Sequence, residues 1–406
     1  MSPCPGHHAG DNAGVSQSLL VGAAQPRSLR PLDRMPSLFD PLQLGALTLP
    51  NRILMAPLTR ARAGRSHLPN TLMAEHYAQR ASAGLLIAEA TMVAADGCAF
   101  TGEPGIFDDA CVAGWRAVTA AVHAAGGRMQ LQIWHPGRSA HSSLNGGVQP
   151  VSSGQQAIQG FINTPDGKQP YETPRRLRDD ELPAIVDLFR QATRRALQAG
   201  FDGVQLHGAH GYLLDQFLRD GVNDRSGPGF ERYGGPIENR ARLLLECLDA
   251  AIEEAGASRV GLRLSPLAGS NDLKDSDPEA LLAYLAQQFS QRRIAYLELR
   301  HMDPALDSER RIAAVARQHF QGPLLRNGGF RAATAQAALD EGSADAIVFG
   351  RAYIANPDLV ERIRSGAGLN EPEPKTYYAA GAMGYTDYPS LGAEAVELGQ
   401  VAGVKG

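Results

Sequence analysis

The sequence predicts an α/β fold of the (β/α)8 barrel class, built as one domain. Eight short apolar runs of strand length recur along the chain, and amphipathic helical patterns separate most of them. Near-continuous apolar strands that alternate with helices are typical of a parallel sheet, and eight such units favour a closed barrel. The first run leads into Pro57-Leu58-Thr59, without the glycine-rich turn that opens a dinucleotide-binding sheet. An open, doubly wound sheet is therefore the less favoured alternative.

The predicted strands and helices alternate in chain order. The strands are 52–56, 85–90, 128–134, 203–207, 260–265, 295–300, 323–327 and 346–350. Four of the segments between them place apolar residues three and four positions apart, which is the spacing of one helix face. These predicted helices are 180–199, 239–255, 278–290 and 332–341. Gly200, Gly256 and Gly342 follow three of them and are expected to end those helices.

Composition and charge exclude several classes of function. The chain has 406 residues, 43% of them hydrophobic, and a net charge of −4. This charge predicts neither a nucleic-acid partner nor a membrane partner, and no apolar run reaches the ~18 residues of a spanning helix. Cys4, Cys98, Cys111 and Cys247 lie far apart and predict free thiols rather than a zinc or iron–sulfur site. Since no secretory signal pattern is present, we expect a cytoplasmic protein.

The two ends of the chain and one internal loop differ from the rest. Residues 1–34 are rich in Gly, Pro, Ser and Ala and predict a disordered extension. The predicted barrel domain then covers residues 35–391, and residues 392–406 form a C-terminal tail. The loop 139–176 is long and follows the third strand, so we expect it to wall a site at the barrel mouth.

Two glycine-containing pairs predict a phosphate site. Gly328-Gly329 follows the seventh strand and Gly350-Arg351 follows the eighth, where barrels commonly bind phosphate. Glycines let backbone N–H groups approach an anion, and arginine adds a charged fork. For either pair alone, simple turn glycines are the better interpretation. The two pairs together favour phosphate.

Three polar residues near strand ends could meet a flat polar ring. Arg263 interrupts an otherwise apolar strand and could balance an electron-rich ring such as a reduced flavin. Gln132 could donate to and accept from an amide edge, and Thr59 could donate to a ring carbonyl. A structural salt bridge is the alternative for Arg263.

The segment 201–217, F-D-G-V-Q-L-H-G-A-H-G-Y-L-L-D-Q-F, carries the strongest catalytic signal. It delivers His207, His210 and Tyr212 at the exit of a strand. Two neutral imidazole donors on one oxygen would stabilise negative charge there, and a protonated phenol could protonate a neighbouring carbanion or enolate carbon. No H-E-x-x-H or third ligand accompanies the histidines, so no metal site is predicted. Buried structural histidines and a core tyrosine are the remaining alternative.

Long motifs around these residues resemble the old yellow enzyme family of flavin-dependent ene-reductases, over roughly residues 37–391. They are L-F-D-P-L-Q-L-G (38–45), L-P-N-R-I-L-M-A-P-L-T-R (49–60), H-Y-A-Q-R-A-S-A-G-L-L-I-A-E-A-T (76–91), L-Q-I-W-H-P-G-R (131–138), the segment 201–218, Y-G-G-P-I-E-N-R (233–240), F-G-R-A-Y-I-A-N-P-D-L (349–359) and G-Y-T-D-Y-P (384–389). Against the family pattern the segment 225–232 looks longer, the loop 139–176 looks shorter, and residues 1–34 have no counterpart.

The resemblance implies a (β/α)8 barrel that binds FMN noncovalently and takes electrons from NADPH or NADH, as a monomer or homodimer. The implied reaction reduces the activated C=C bond of α,β-unsaturated carbonyl or nitro compounds, with hydride from the flavin and a proton from Tyr212. His207 and His210 match the positions that bind the substrate oxygen, and Trp134 and Tyr378 match positions lining the substrate pocket. The implied FMN contacts are Ala56, Pro57, Leu58, Thr59, Ala83, Gln132, Arg263, Gly328, Gly329, Gly350 and Arg351.

Two other functions stay open at this point. A metal-dependent barrel hydrolase would use His207 and His210 as ligands and would be colourless. A barrel that binds flavin or another ligand without turnover would be yellow, but NADPH would not bleach it.

Overall fold

The computed structural model describes residues 35–392. The predicted extension 1–34 and the predicted tail beyond residue 392 lie outside this range. Contacts divide the chain into Met1–Met35 and Pro36–Gly406, and every helix and strand below belongs to the second unit. Across the described range, no helix has both the length and the apolar character needed to cross a bilayer.

Strands and helices alternate along the described chain. The strands are β1 (Leu42–Leu44), β2 (Leu47–Leu49), β3 (Ile53–Met55), β4 (Leu86–Met92), β5 (Met129–Trp134), β6 (Val151–Ser152), β7 (Phe161–Thr164), β8 (Gly167–Pro170), β9 (Arg175–Arg176), β10 (Gly203–Gly208), β11 (Val260–Leu264), β12 (Tyr296–Arg300), β13 (Leu324–Asn327) and β14 (Ala346–Phe349). The α-helices are α1 (Thr71–Ala78), α2 (Asp109–Ala124), α3 (Leu182–Gln198), α4 (Leu213–Leu218), α5 (Ile237–Arg240), α6 (Arg242–Ala255), α7 (Pro278–Arg292), α8 (Asp307–His319), α9 (Ala332–Asp340), α10 (Arg351–Ala355) and α11 (Leu359–Ser365). Short 3-10 turns cover Gly137–Ser139, Ser142–Leu144, Glu231–Tyr233, Ala257–Arg259, Ser270–Asp272 and Pro374–Thr376.

Eight parallel strands close into a barrel, in the order β10-β11-β12-β13-β14-β3-β4-β5. The predicted (β/α)8 barrel is therefore confirmed, and the open sheet is wrong. Each predicted strand is present within two residues of its predicted ends. The predicted helix at 239–255 is instead two helices, α5 and α6, which meet at Ala241.

Two apolar layers hold the barrel together. Inside the barrel, Leu54, Ile87 and Val348 pack with Leu44 and Leu49 of the β1–β2 hairpin. The hairpin reaches the amino ends of the strands, because Ala46 N donates to Ser258 O just before β11. Outside the barrel, the strands pack against the apolar faces of the helices. With one end filled by a hairpin the sequence did not predict, the opposite end is left for a site.

The loop after β5 is more ordered than its composition suggests. It contains the antiparallel hairpin β7–β8 and the short parallel pair β6–β9. Arg138 ties its start to the loop after β11, because its Nη2 donates to Asn271 O over 2.7 Å. The loop after β5 and the loop after β11 therefore meet at the carboxyl end of the barrel.

Candidate active site

A cavity of about 660 Å³ opens at the carboxyl ends of the barrel strands. All eight barrel strands, or the segments that directly follow them, contribute to its lining. The lining residues are Ala56, Pro57, Leu58, Thr59, Ala90, Gln132, His207, His210, Tyr212, Arg263, Arg300, Asn327, Gly328, Gly329, Phe330, Arg331, Val348, Phe349, Gly350, Arg351 and Ala352. The structure thus brings together the predicted catalytic residues and every predicted FMN contact except Ala83.

The end of β10 and the sharp turn after it present the two histidines and the tyrosine. His210 has φ +58, a left-handed conformation that is costly for a residue with a side chain, and Gly211 continues the turn with φ +79. Two hydrogen bonds hold this turn: His210 N donates to Ser265 Oγ over 2.8 Å, and Asn271 Nδ2 donates to His210 O over 2.8 Å. Strained backbone held by outside contacts is typical of functional sites.

The aromatic rings at this turn form one compact cluster. The ring centroid of His207 lies 5.4 Å from that of His210 and 5.1 Å from that of Tyr212. Trp134 packs edge-on against Tyr212 with 4.3 Å between centroids. Because Trp134 is fully buried, it fixes the orientation of the phenol.

Burial sets the protonation of the three candidate catalytic groups. It lowers the pKa of His207 well below its usual value, and His210 and Arg263 lower it further. Burial lowers the pKa of His210 likewise, with help from Arg263 and Arg300. It raises the pKa of Tyr212 above its usual value. At neutral pH the site therefore holds two neutral imidazoles and one protonated phenol. His207 Nδ1 is buried and has no hydrogen-bond partner in the described part of the chain.

A buried ion pair anchors the helix that begins next to Tyr212. Asp215 in α4 accepts from Arg219 Nε over 2.7 Å and from Gly211 N over 3.0 Å. Arg219 in turn donates to Ser265 O over 2.8 Å, so the pair joins the turn after β10 to β11.

We expect Asp215→Ala to lower the free energy of unfolding by about 3–5 kcal/mol, since it leaves the buried Arg219 without its carboxylate. Urea denaturation followed by circular dichroism measures this loss. The matched control is Asp187→Ala on the exposed side of α3, expected to change stability by less than about 0.5 kcal/mol. Equal loss in both variants would contradict the anchoring role of Asp215.

A chain of polar side chains crosses the barrel beneath the cavity. Gln132 Nε2 donates to Gln205 Oε1 over 2.7 Å, and Gln205 Nε2 donates to Glu298 Oε2 over 2.7 Å. Glu298 Oε1 lies 3.0 Å from Arg263 Nε, and Arg263 Nη2 donates to Asn327 Oδ1 over 2.7 Å. The salt bridge weighed as the alternative for Arg263 is thus present, yet Arg263 also lines the cavity. Each member fixes the rotamer of the next, so Gln132 and Arg263 are held in place at the cavity.

One end of the cavity is suited to an anion. Gly328 has φ +105, and a Cβ there would lie 2.0 Å from His301 O, so the turn itself requires glycine. Glycine at this position therefore does not distinguish a simple turn from a phosphate site. The arginines do: Arg300, Arg331 and Arg351 line the cavity and form no ion pair within residues 35–392. Three guanidinium groups without acidic partners favour a bound anion.

Ala83 was predicted to contact FMN, but it does not line the cavity. It precedes β4 by three residues, at the amino end of that strand, and packs in the apolar layer outside the barrel. Ala90 near the carboxyl end of β4 lines the cavity instead, beside a register shift between Ala88 and Thr91 in the β4–β5 pairing. The rule that sites collect at the carboxyl ends of strands would have selected Ala90.

A second cavity, of about 380 Å³, adjoins the first through Tyr212. It is lined by Ala61, Ala99, Phe100, Thr101, Ser139, Phe161, Ile162, Asn163, Tyr171, Tyr212, Asn271 and Tyr378. The loop 139–176 thus forms a wall here through its β7–β8 hairpin, as expected. The predicted pocket residue Tyr378 stacks on Phe100 with 6.3 Å between centroids. Trp134 does not line either cavity and lies behind Phe100 and Tyr212.

Sequence reasoning missed several of these residues. Phe100, Phe161 and Tyr171 lie on loops whose path the sequence does not specify. Arg300 ends β12, so its position at a strand end was the available signal. Within the described range, no group of three or more His, Cys, Asp or Glu residues is arranged to hold a metal ion.

Comparisons with known proteins agree with this geometry. The model of the NADH:flavin oxidoreductase / NADH oxidase family matches residues 37–370. A protein of Leishmania infantum named "Probable flavin mononucleotide-dependent alkene reductase" is 44% identical over 363 residues, which cover 87% of this chain and 97% of that protein. The 12-oxophytodienoate reductase 7 of Oryza sativa subsp. japonica is 41% identical over 380 residues, covering 87% of this chain and 95% of that protein.

Two solved structures are also similar to this chain. Morphinone reductase in complex with tetrahydroNAD superposes with a TM-score of 0.83 at 47% identity, over 88% of this chain and 98% of that chain. An old yellow enzyme homologue from Zymomonas mobilis superposes with a TM-score of 0.84 at 45% identity, over 87% and 99%.

Proposed function

The chain belongs to the NADH:flavin oxidoreductase / NADH oxidase family, and on that premise we propose that it is an FMN-dependent alkene reductase. It oxidises NADH or NADPH and saturates the activated C=C bond of α,β-unsaturated carbonyl compounds. One observation carries this function: His207, His210 and Tyr212 converge on a barrel-mouth cavity that is also lined by three arginines without an ion pair in residues 35–392. The names of the similar proteins support it, because one is named "Probable flavin mononucleotide-dependent alkene reductase" and a solved structure is morphinone reductase in complex with tetrahydroNAD.

The residues around the larger cavity fit FMN. At about 660 Å³ it is large enough for a flat tricyclic ring with a phosphate tail. Arg263 and Gln132 would hold the pyrimidine edge, and Thr59 would donate to a ring carbonyl. The phosphate would be bound near Gly329 and Arg351, with Arg300 and Arg331 adding charge. Ala90 replaces Ala83 among the proposed contacts.

When bound, FMN would supply the hydride chemistry that no side chain can perform, which links oxidation of the nicotinamide to reduction of the β-carbon of the alkene. The chain's own residues bind and polarise the substrate. His207 and His210 donate N–H groups to the carbonyl oxygen, where negative charge develops as the β-carbon is attacked. Nitro compounds present an equivalent oxygen and belong to the same proposal.

Tyr212 completes the reaction. Its O–H protonates the α-carbon, the C–H bond forms as the O–H bond breaks, and the phenolate regains a proton from water. The overall change consumes one alkene, one NAD(P)H and one proton. Trp134 holds the phenol in place, and Tyr378 and the β7–β8 hairpin enclose the alkene.

Three further points complete the proposal. The described cysteines, Cys98, Cys111 and Cys247, are free thiols, which supports a reducing cytoplasmic location. The functional domain is the barrel of residues 35–391. The protein works as a monomer or homodimer.

The absorption spectrum of the purified protein tests this function. We expect the yellow colour of bound FMN, bleaching by NADH or NADPH under nitrogen, and return of the colour when cyclohexenone is added. A colourless protein would support the hydrolase alternative. A yellow protein that neither nicotinamide bleaches would support ligand binding without turnover.

A further inference from the structure

A buried carboxyl group, that of Glu103, lies behind the aromatic wall of the substrate cavity. It belongs to the segment between β4 and α2, and none of its surface is exposed. Glu103 Oε1 accepts from Ala99 N over 2.7 Å and from Phe100 N over 3.3 Å. Both Ala99 and Phe100 line the cavity that also contains Tyr212. The mechanism above makes no use of this carboxyl group.

The hydrogen bonds of Glu103 are compatible with a neutral acid. Both backbone donors go to Oε1, while Oε2 is buried and has no hydrogen-bond partner among residues 35–392. No arginine, lysine or histidine side chain in residues 35–392 forms an ion pair with it. An ionised Glu103 in this place would be a buried charge without an ion-pair partner, which is strongly unfavourable. A carbonyl oxygen that accepts two bonds beside an unionised hydroxyl avoids this cost.

The charged and titratable groups that face Glu103 also favour its protonated form. Burial raises the pKa of Glu103 to about 8, although the hydrogen bonds from Ala99 N and Phe100 N oppose this rise. The carboxyl group of Glu89 adds to the rise. His67 contacts only the backbone of Glu103, through Nδ1 at 2.6 Å from its carbonyl oxygen.

Glu103 is coupled to the proposed proton donor. After burial, the negative charge of Glu103 is the foremost cause that raises the pKa of Tyr212, ahead of Tyr171 and Tyr378. Arg263 acts in the opposite direction. A packing route joins the same groups, because Phe100, held by Glu103, stacks 6.1 Å from Trp134, and Trp134 contacts Tyr212.

We propose that Glu103 is a positioning residue that keeps Tyr212 able to give up its proton only while the Glu103 carboxyl group is itself protonated. When Tyr212 protonates the α-carbon, a phenolate is left in a buried site. A neutral carboxyl group nearby tolerates that charge, whereas a carboxylate repels it. The proposal rests on the alkene reductase function, because it concerns the half-reaction in which the alkene is protonated.

The test measures the two half-reactions separately by stopped-flow absorbance, from about pH 6 to about pH 10. In the unmodified enzyme, reoxidation by cyclohexenone is expected to fall by about tenfold per unit above about pH 8. Glu103→Gln keeps the shape and removes the titration, so its reoxidation rate is expected to stay level over the same range. Bleaching by NADH needs no proton from Tyr212 and is expected to show no such fall in either protein.

The control is Asp96→Asn, which removes an exposed acid from the same segment and should keep the fall above pH 8. Glu103→Asp retains a carboxyl group and should show a fall with a shifted midpoint. A fall unchanged in Glu103→Gln overturns the proposal. If that variant does not fold, an unchanged midpoint in Glu103→Asp overturns it. Failure of cyclohexenone to reoxidise the unmodified enzyme at any pH would instead refute the proposed function.

Discussion

Replacing Tyr212 with phenylalanine is expected to slow the alkene-dependent half-reaction by about 100- to 10,000-fold, the range for loss of a general acid. The phenol is the protonated group that adjoins both cavities, and burial keeps its proton in place across the neutral range. Phenylalanine preserves the edge-on contact with Trp134, so the variant loses the proton and little of the packing. Single-turnover reoxidation by cyclohexenone, followed at the flavin absorbance, measures the change.

Bleaching of the same Tyr212→Phe protein by NADH is the internal control, because hydride transfer from the nicotinamide requires no proton from the phenol. Its rate is expected to stay within about threefold of the unmodified enzyme. Tyr388→Phe, a partly buried tyrosine near the C-terminus that lines neither cavity, should change neither step. Equal slowing of both half-reactions by Tyr212→Phe would mean that Tyr212 shapes the cavity rather than donating the proton.

The barrel and the centre of the site were predictable because strand order fixes them. Once the apolar runs are strands of a closed parallel barrel, their carboxyl ends must meet. His207, Arg263 and Gln132 are far apart in sequence, yet this rule places them on one cavity. The motif comparison alone did not distinguish Ala83 from Ala90, because the motif 76–91 contains both alanines. Only the direction of β4 shows that Ala90, and not Ala83, lies near the carboxyl end of the strand.

The walls of the site were not predictable, because they depend on loop geometry and on long-range pairs. Phe161 reaches the second cavity only because β7 and β8 form a hairpin, and the sequence of the loop does not predict this hairpin. In the sequence, Glu298 and Gln205 are single polar residues within two mostly apolar strands. Only the register of the barrel strands brings them together beside Arg263. The role proposed for Glu103 likewise depends on its burial, which no local sequence pattern predicts.

Removing either imidazole should weaken the binding of phenolic ligands, whose oxygen resembles the charged oxygen of an enolate. We expect His207→Ala and His210→Ala each to raise the dissociation constant of a para-substituted phenol by about 10- to 150-fold, equivalent to about 1.5–3 kcal/mol for a hydrogen bond to a charged group. Titration of the flavin absorbance with the phenol measures this constant. His319→Ala, at a partly exposed imidazole on α8 that lines neither cavity, is the matched control and should leave the constant unchanged.

The dependence of this binding on pH separates hydrogen-bond donation from simple charge attraction. Burial lowers the pKa values of His207 and His210 well below their usual range, so both rings are neutral where a free imidazole would still be partly charged. If neutral N–H groups bind the oxygen, the affinity loss in each variant should be the same at about pH 6 and about pH 8. If imidazolium charge binds it, the loss should shrink as pH rises through that interval. Unchanged phenol affinity in both variants would remove His207 and His210 from the substrate site altogether.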